Sequence, residues 1–558
     1  MKKIYSIVLA GTLVLMGLSS CIEQIDPQAN KLGDDKIVSA EQASNAPGSF
    51  DNFVTGLTNS LAGSFIYSGD DHDPYDFGYS SFYLARDVMG NDIALDWDGD
   101  WYEVWYTCHY ALGPQYAMCQ FPLTYFFGWI KNCNNVIGMY KESPSPMKES
   151  GAGIAYCMRA LFYLDAVQMW GESTYAKNPD GLTVPKRSDD NATVTNMPRM
   201  TYKEAFEFIL SDLNQAEALL KNYTRQDVYT PNINVVYGLK ARVYLLMEKW
   251  EDAEKYAKLA QSGYSMMTNE EYTDRANAFN TPNESWIMGL TFKSTDPNIT
   301  ENDGDGSWGT HMIAEVQPSG MGYAANYGSP KRIDAHLFST IPATDIRKGC
   351  YIDPAVDELE GDELVAALSK YSDVPEQLVA SGASTTAGVL GCYQLKFRPK
   401  DGEHINQYKA WTVAVPMMRF EEMKLIEIEA AGMQDEGRGK QLLEEFAKVR
   451  DPQFVYGEHE RESYYNGTTG GFRNEVWWQR RVELWGEGFA TYDIKRLQKG
   501  IIRSYAGTNH VKDYRWNVET VPQWMTLCFV QSESNYNKDL VQNPIPTHEV
   551  GDDPEYVW

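Results

Sequence analysis

Apolar positions recur every three to four residues through several long stretches of the chain, the spacing of helices with one buried face. In 157–171, Met158, Leu161, Leu164 and Val167 share one stripe, and Gly171 is placed to end the helix. The stretch 201–220 opens with Thr201 and Glu204, the spacing of a capping box. Residues 235–261 read as two helices broken near Glu248 and Lys249. The second of these spaces Ala253, Ala257 and Ala260 so that small side chains meet a neighbouring helix, as in a tetratricopeptide unit. Another pair is predicted over 417–433 and 439–450, where Leu442, Leu443, Phe446 and Ala447 form the stripe. Residues 50–62 and 124–142 also read as helices. The pairs are degenerate and do not form a regular array.

From about 268 to 410 the periodicity is lost. Gly, Pro, Asp, Asn and Thr dominate and apolar runs are short. A stretch of this length without helical spacing is usually functional loop or a small irregular unit. The expected fold is therefore mainly α: tetratricopeptide-like helix pairs form a scaffold that carries a loop-rich, ligand-binding lobe at about 268–410, all within a body spanning 49–558.

The first residues follow different rules. Lys2 and Lys3 precede an uncharged run from Ile4 to Leu18, and then Ser19, Ser20 and Cys21. This is the layout of a secretory signal, and the run falls short of the roughly 20 apolar residues of a membrane helix. The small-small-Cys ending resembles a bacterial lipobox, which implies a signal peptide over 1–20 and acylation (palmitate among the chains) of Cys21 as the new N-terminus. Residues 21–48 read as a polar tether. The protein is then expected to be held at a membrane by its N-terminal lipid alone.

Charge narrows the partners. Lys and Arg number 49 against 77 Asp and Glu. Losing the signal removes two lysines and no acid, so the excess grows. Such a surface repels nucleic acid and other polyanions. Seven cysteines remain beside Cys21, with no CxxC spacing to suggest zinc or a redox motif.

Enzyme signatures are absent: there is no HExxH, GxSxG or GxxxxGK[ST]. A GxGxxG at Gly304, Gly306 and Gly309 lacks a preceding hydrophobic strand, and Asp303 and Asp305 would repel a pyrophosphate. Glu301, Asp303 and Asp305 match the front half of a calcium loop, but Met312 stands where the bidentate Glu belongs. Solvated acidic turns are the simpler reading, with calcium as the alternative. No cofactor and no catalysis are expected.

Two aromatic segments are the candidate ligand site. In 96–106, Trp97, Trp101 and Trp105 alternate with Asp96, Asp98 and Asp100. Burying all three acids would be costly, so Trp97 and Trp101, with Asp98 beside them, are expected at the surface while Trp105 packs inward. The second segment carries Trp308, Tyr323 and Tyr327 among Gly, Ser and Asn. Rings offer faces to sugar C–H groups, and short polar side chains meet hydroxyls.

Several blocks together resemble one family. They are Arg159 to Gly171, Lys240 to Leu245, Trp250 with Ala253 and Ala257, the run RRVELWGEGFATYDIKR at 480–496, and Asn543-Pro544-Ile545-Pro546. This order is similar to the SusD/RagB family of outer-membrane nutrient-binding lipoproteins, which implies capture of an oligosaccharide and its delivery to a TonB-dependent SusC-like transporter. An oligopeptide ligand, as in the RagB branch, is the first alternative and a surface glycoside hydrolase the second. The chain departs from the family at Gln479 and Ala490, which bear on an ion-pair network. On a helix, Arg480, Glu483 and Glu487 would be neighbours, as would Asp493 and Arg496, and a scaffold role is expected for these charges.

Overall fold

The computed structural model describes residues 48–64, 75–95, 100–300, 306–316, 322–326, 330–384 and 388–558. Cys21, the signal and nearly all of the tether lie outside these residues. Helix makes up 52 % of the described residues, and the sheets found among them are two-stranded, which settles the class as mainly α.

Helix α1 (Ser49–Asn59) packs against α3 (Ala117–Glu142) and α4 (Pro146–Trp170), and α2 (Ser81–Val88) is wholly buried. Gly171 ends α4 in extended conformation, as the sequence suggests. Helix α5 (Tyr202–Leu220) starts with the capping box realised in both directions. Glu204 N–H donates to Thr201 Oγ1 at 3.2 Å, and Thr201 N–H to the Glu204 carboxylate at 2.8 Å. These bonds satisfy two otherwise orphaned donors.

Helices α6 (Ile233–Leu246) and α7 (Trp250–Gln261) are separated where expected, with Glu248 in left-handed conformation at φ 54°. Ala253, Ala257 and Ala260 are buried and let α7 lie against α6 and α8 (Phe420–Gln434). Helix α9 (Glu436–Arg450) turns back on α8. Their crossing is closed by two glycines, since a Cβ on Gly439 would stand 2.3 Å from Gly432 Cα. Strand β1 (Trp286–Thr291) pairs antiparallel with β2 (Ala414–Arg419), which runs directly into α8.

The region 268–410 holds short helices and a small core of its own, with Ile352, Leu368, Leu378, Leu390 and Tyr393 at its centre. Helices α10 (Gly470–Glu483) and α11 (Ala490–Leu497) close the scaffold.

The charges of 480–496 build a buried network, but not the one helix spacing suggests. Helix α10 ends at Glu483, so Glu487 lies in the following turn, and Arg480 forms its salt bridge with neither acid. Arg480 reaches Asp493 at 2.7 Å, and Asp493 also binds Arg496 at 2.6 Å, the one expected pair that forms. Glu483 instead sits among Arg347, Arg419 and Arg450 at 3.3–3.4 Å. Glu487 takes Lys396 at 2.6 Å and Arg419 at 2.9 Å. Burial would raise the Glu483 carboxyl, but the three guanidinium groups and Lys396 outweigh it and hold its pKa below the ordinary range. Gln479 is fully buried beside this network.

Candidate functional site

Asp100 fixes the first aromatic segment. Its carboxylate accepts the backbone N–H of Tyr102 at 2.8 Å and the Lys331 ammonium at 2.5 Å, with both charged side chains fully buried. A buried pair of this kind gives one geometry rather than many, because leaving either charge alone would be strongly unfavourable. The chain then turns into the short helix Glu103–Tyr106. Trp105 points inward, 1 % exposed, against Tyr75, Tyr102 and Phe121. Trp101 points outward and keeps 37 % of its surface in solvent. Burial, and then Asp100, pushes the Tyr102 phenol well up, so this hydroxyl stays neutral.

The second segment comes to meet it. Ser307 Oγ caps the short helix Trp308–Met312 by accepting the Thr310 N–H at 3.4 Å. Thr310 Oγ1 in turn accepts the N–H of Tyr323 at 3.3 Å. Tyr323, half-buried, stacks on His311 with centroids 5.0 Å apart and planes 8° from parallel. His311 continues the column onto Phe77 at 5.4 Å and rests on the edge of Tyr102 at 5.2 Å. At the outer end, Trp101 meets Tyr323 edge to face at 6.2 Å and Tyr75 at 5.9 Å. The glycines of this segment make room for Trp411. A Cβ on either Gly309 or Gly322 would come 2.7 Å from its indole, and Gly322 also has a φ of 123°.

The structure therefore joins Trp101 and Tyr323, two of the sequence-derived candidates. Trp97, Asp98 and Tyr327 lie outside the described residues, as do Glu301, Asp303 and Asp305. Trp308 is a correction. It is 1 % exposed and packs edge to face on Tyr83 and Phe397 at 5.9 and 5.2 Å, so its ring belongs to the core. Its helix, too short to be read from periodicity, turns it inward. His311 and Tyr75 escape sequence reading because neither sits in a motif. The one available signal is that His311 follows the Gly-Ser-Trp-Gly run. Chemically the described part of the site is an uncharged aromatic rim over a stacked column, with its acid already neutralised by Lys331. That suits reversible contact with a neutral, polar molecule carrying C–H faces.

Among the described residues no helix is long and apolar enough to cross a membrane. Two family profiles match the sequence. One is a SusD-like family described as starch-binding and associating with the outer membrane, over residues 92–245. The other is the SusD family, over 358–557. No curated protein matches the chain. Solved structures share the fold at low identity. A SusD-like carbohydrate-binding protein from Bacteroides vulgatus is 20 % identical with a TM-score of 0.67, the match covering 88 % of this chain and 97 % of that one. A SusD superfamily protein from Bacteroides thetaiotaomicron is 19 % identical with a TM-score of 0.66, covering 89 % and 99 %. Surface glycan-binding protein A from Bacteroides thetaiotaomicron, solved with laminarihexaose, is 16 % identical with a TM-score of 0.63, covering 89 % and 99 %.

Proposed function

The chain belongs to the SusD/RagB family, and from that premise we propose that it is a cell-surface lipoprotein that binds oligosaccharides and passes them to a TonB-dependent SusC-like transporter. The observation that carries the sugar reading is the meeting of Trp101 and Tyr323 at an exposed rim. The laminarihexaose complex of a protein with this fold supports the ligand class. Capture needs no bond to be made or broken, and the rim is built for contact. Anchoring would come from acylated Cys21, and more than one acyl chain would make it stable. Delivery requires the cargo to favour the transporter-bound state over the free one.

A binding screen of neutral oligosaccharides against peptide mixtures tests the reading, followed by co-purification from membranes. The expected result is a sugar ligand, fatty-acid labelling that depends on Cys21, and a barrel transporter in the pull-down. Binding of peptides alone would assign the oligopeptide role instead, and new reducing ends from a polysaccharide would assign catalysis.

A further inference from the structure

Two thiols far apart in sequence lie side by side in the core. Cys119, in the first turn of α3, and Cys528, in the C-terminal segment, have their sulfurs 3.5 Å apart, and both residues are buried. Neither is loosely held. The Cys528 carbonyl accepts the Trp170 indole N–H at 3.1 Å, and its neighbour Leu527 donates its N–H to Met169 at 2.9 Å. The Cys528 thiol is within 3.2 Å of the Leu112 carbonyl, and the Cys119 thiol within 3.4 Å of the Cys528 carbonyl. A disulfide requires about 2.05 Å between sulfurs and Cβ atoms roughly 3.5–4.5 Å apart, so rotation about the two Cα–Cβ bonds, with small backbone adjustment, is the movement needed.

We propose that Cys119 and Cys528 close into an intramolecular disulfide when the chain meets an oxidant of the disulfide class. The oxidising surroundings come from the export put forward above, so the cellular form of this inference rests on that reading. The chemistry balances in two exchanges. The Cys528 thiolate attacks one sulfur of the oxidant's disulfide and releases one thiolate, leaving a mixed disulfide. The Cys119 thiolate then attacks the Cys528 sulfur and releases the second. The protein loses two protons and two electrons, and the oxidant is reduced to two thiols. The two thiols are hydrogen-bonded to each other, and that contact lowers the Cys528 pKa. Burial pushes up the thiols of Cys108, Cys133, Cys157, Cys350 and Cys392.

The bond would act on a surface feature. Phe529 and Val530, next to Cys528, line a cavity of about 540 Å³ together with Leu123 and Phe127 of α3. The linkage would tie the C-terminal segment to α3 beside this cavity. Restricting the unfolded chain by so long a loop is also the case in which a crosslink stabilises most in the chain-entropy account.

The test refolds the full chain from denaturant in a glutathione redox buffer, blocks free thiols with N-ethylmaleimide and maps peptides without reductant. The expected result is a Cys119 peptide joined to a Cys528 peptide, with two fewer alkylated thiols than in a fully reduced refold. In Cys119→Ala, Cys528 should become alkylated. Alkylation of both cysteines in the monomeric wild-type protein, or their pairing with other cysteines, would overturn the proposal. The same mapping on protein taken from the cell surface separates the two readings. A bond formed in redox buffer yet missing on protein from cells would count against export and leave the thiol chemistry standing.

Discussion

Trp101 and Tyr323, from opposite halves of the chain, meet edge to face with their ring centroids 6.2 Å apart. Each is held by a partner that does not face solvent: Trp101 follows the Asp100–Lys331 pair, and Tyr323 stacks on His311. The rim is thus pre-formed, and a ligand need not order it on arrival, which is a large part of the cost of binding.

Trp101→Ala and Tyr323→Ala should each weaken oligosaccharide binding by about 1 kcal/mol, or roughly fivefold in Kd. Because the two rings touch, the double variant should lose less or more than the sum. Isothermal titration on the four proteins of this cycle reads the coupling. Unchanged affinity in both single variants would remove these rings from the site.

Trp308→Ala separates core from platform. The ring is buried between Tyr83 and Phe397, so its loss should destabilise the fold by about 3–5 kcal/mol. Sugar affinity measured well below the melting transition should stay within about twofold of wild type, less than one aromatic contact is worth. A drop in affinity with little change in stability would return Trp308 to the ligand site.

Glu483→Ala removes the acid that Arg347, Arg419 and Arg450 surround. Buried charges left without their partner typically cost about 3–5 kcal/mol. Urea unfolding should show the midpoint falling with the slope preserved. An unaltered midpoint would mean that the guanidinium groups find other acceptors at no penalty.

Acid sensitivity should trace in part to Glu429. This buried carboxylate binds Arg496 at 2.7 Å and Arg473 at 3.1 Å. Burial raises its pKa, but the two cations overcome that and hold it at about 2 against 4.5 in the unfolded chain. A depressed folded pKa gives stability that is complete above pH 4.5 and is lost as the pH falls towards 2. The full difference is on the order of 3 kcal/mol. Glu429→Gln should therefore be less stable than wild type at pH 6, and the gap should narrow between pH 4.5 and 2. A gap that stays constant with pH would show that the carboxylate is not linked to folding in this way.

The helical scaffold was legible because local signals and tertiary packing agree there. Thr201 and Glu204 cap as spaced, Gly171 ends its helix, and the break at Glu248 adopts the left-handed turn that separates α6 from α7. Sequence failed where distant partners decide. Trp308 sits in a polar, glycine-rich run that reads as surface, and only Tyr83 and Phe397 reveal it as core. Arg480, Glu483 and Glu487 have helical spacing, but the helix stops at Glu483 and each finds its partner elsewhere. The pairing of Cys119 with Cys528 likewise has no spacing rule to announce it.

The interior ion network has one more outcome. Arg347, Lys396, Arg419 and Arg450 stand against Asp345, Glu421, Glu483 and Glu487, so cations and anions cancel. The interior cluster therefore absorbs none of the excess of acids, which has to be carried by the remainder of the protein. In dilute electrolyte such a particle would push away acidic polysaccharides before any ring could touch them, while uncharged chains would approach without hindrance. Ionic strength should thus sort cargo by charge ahead of shape.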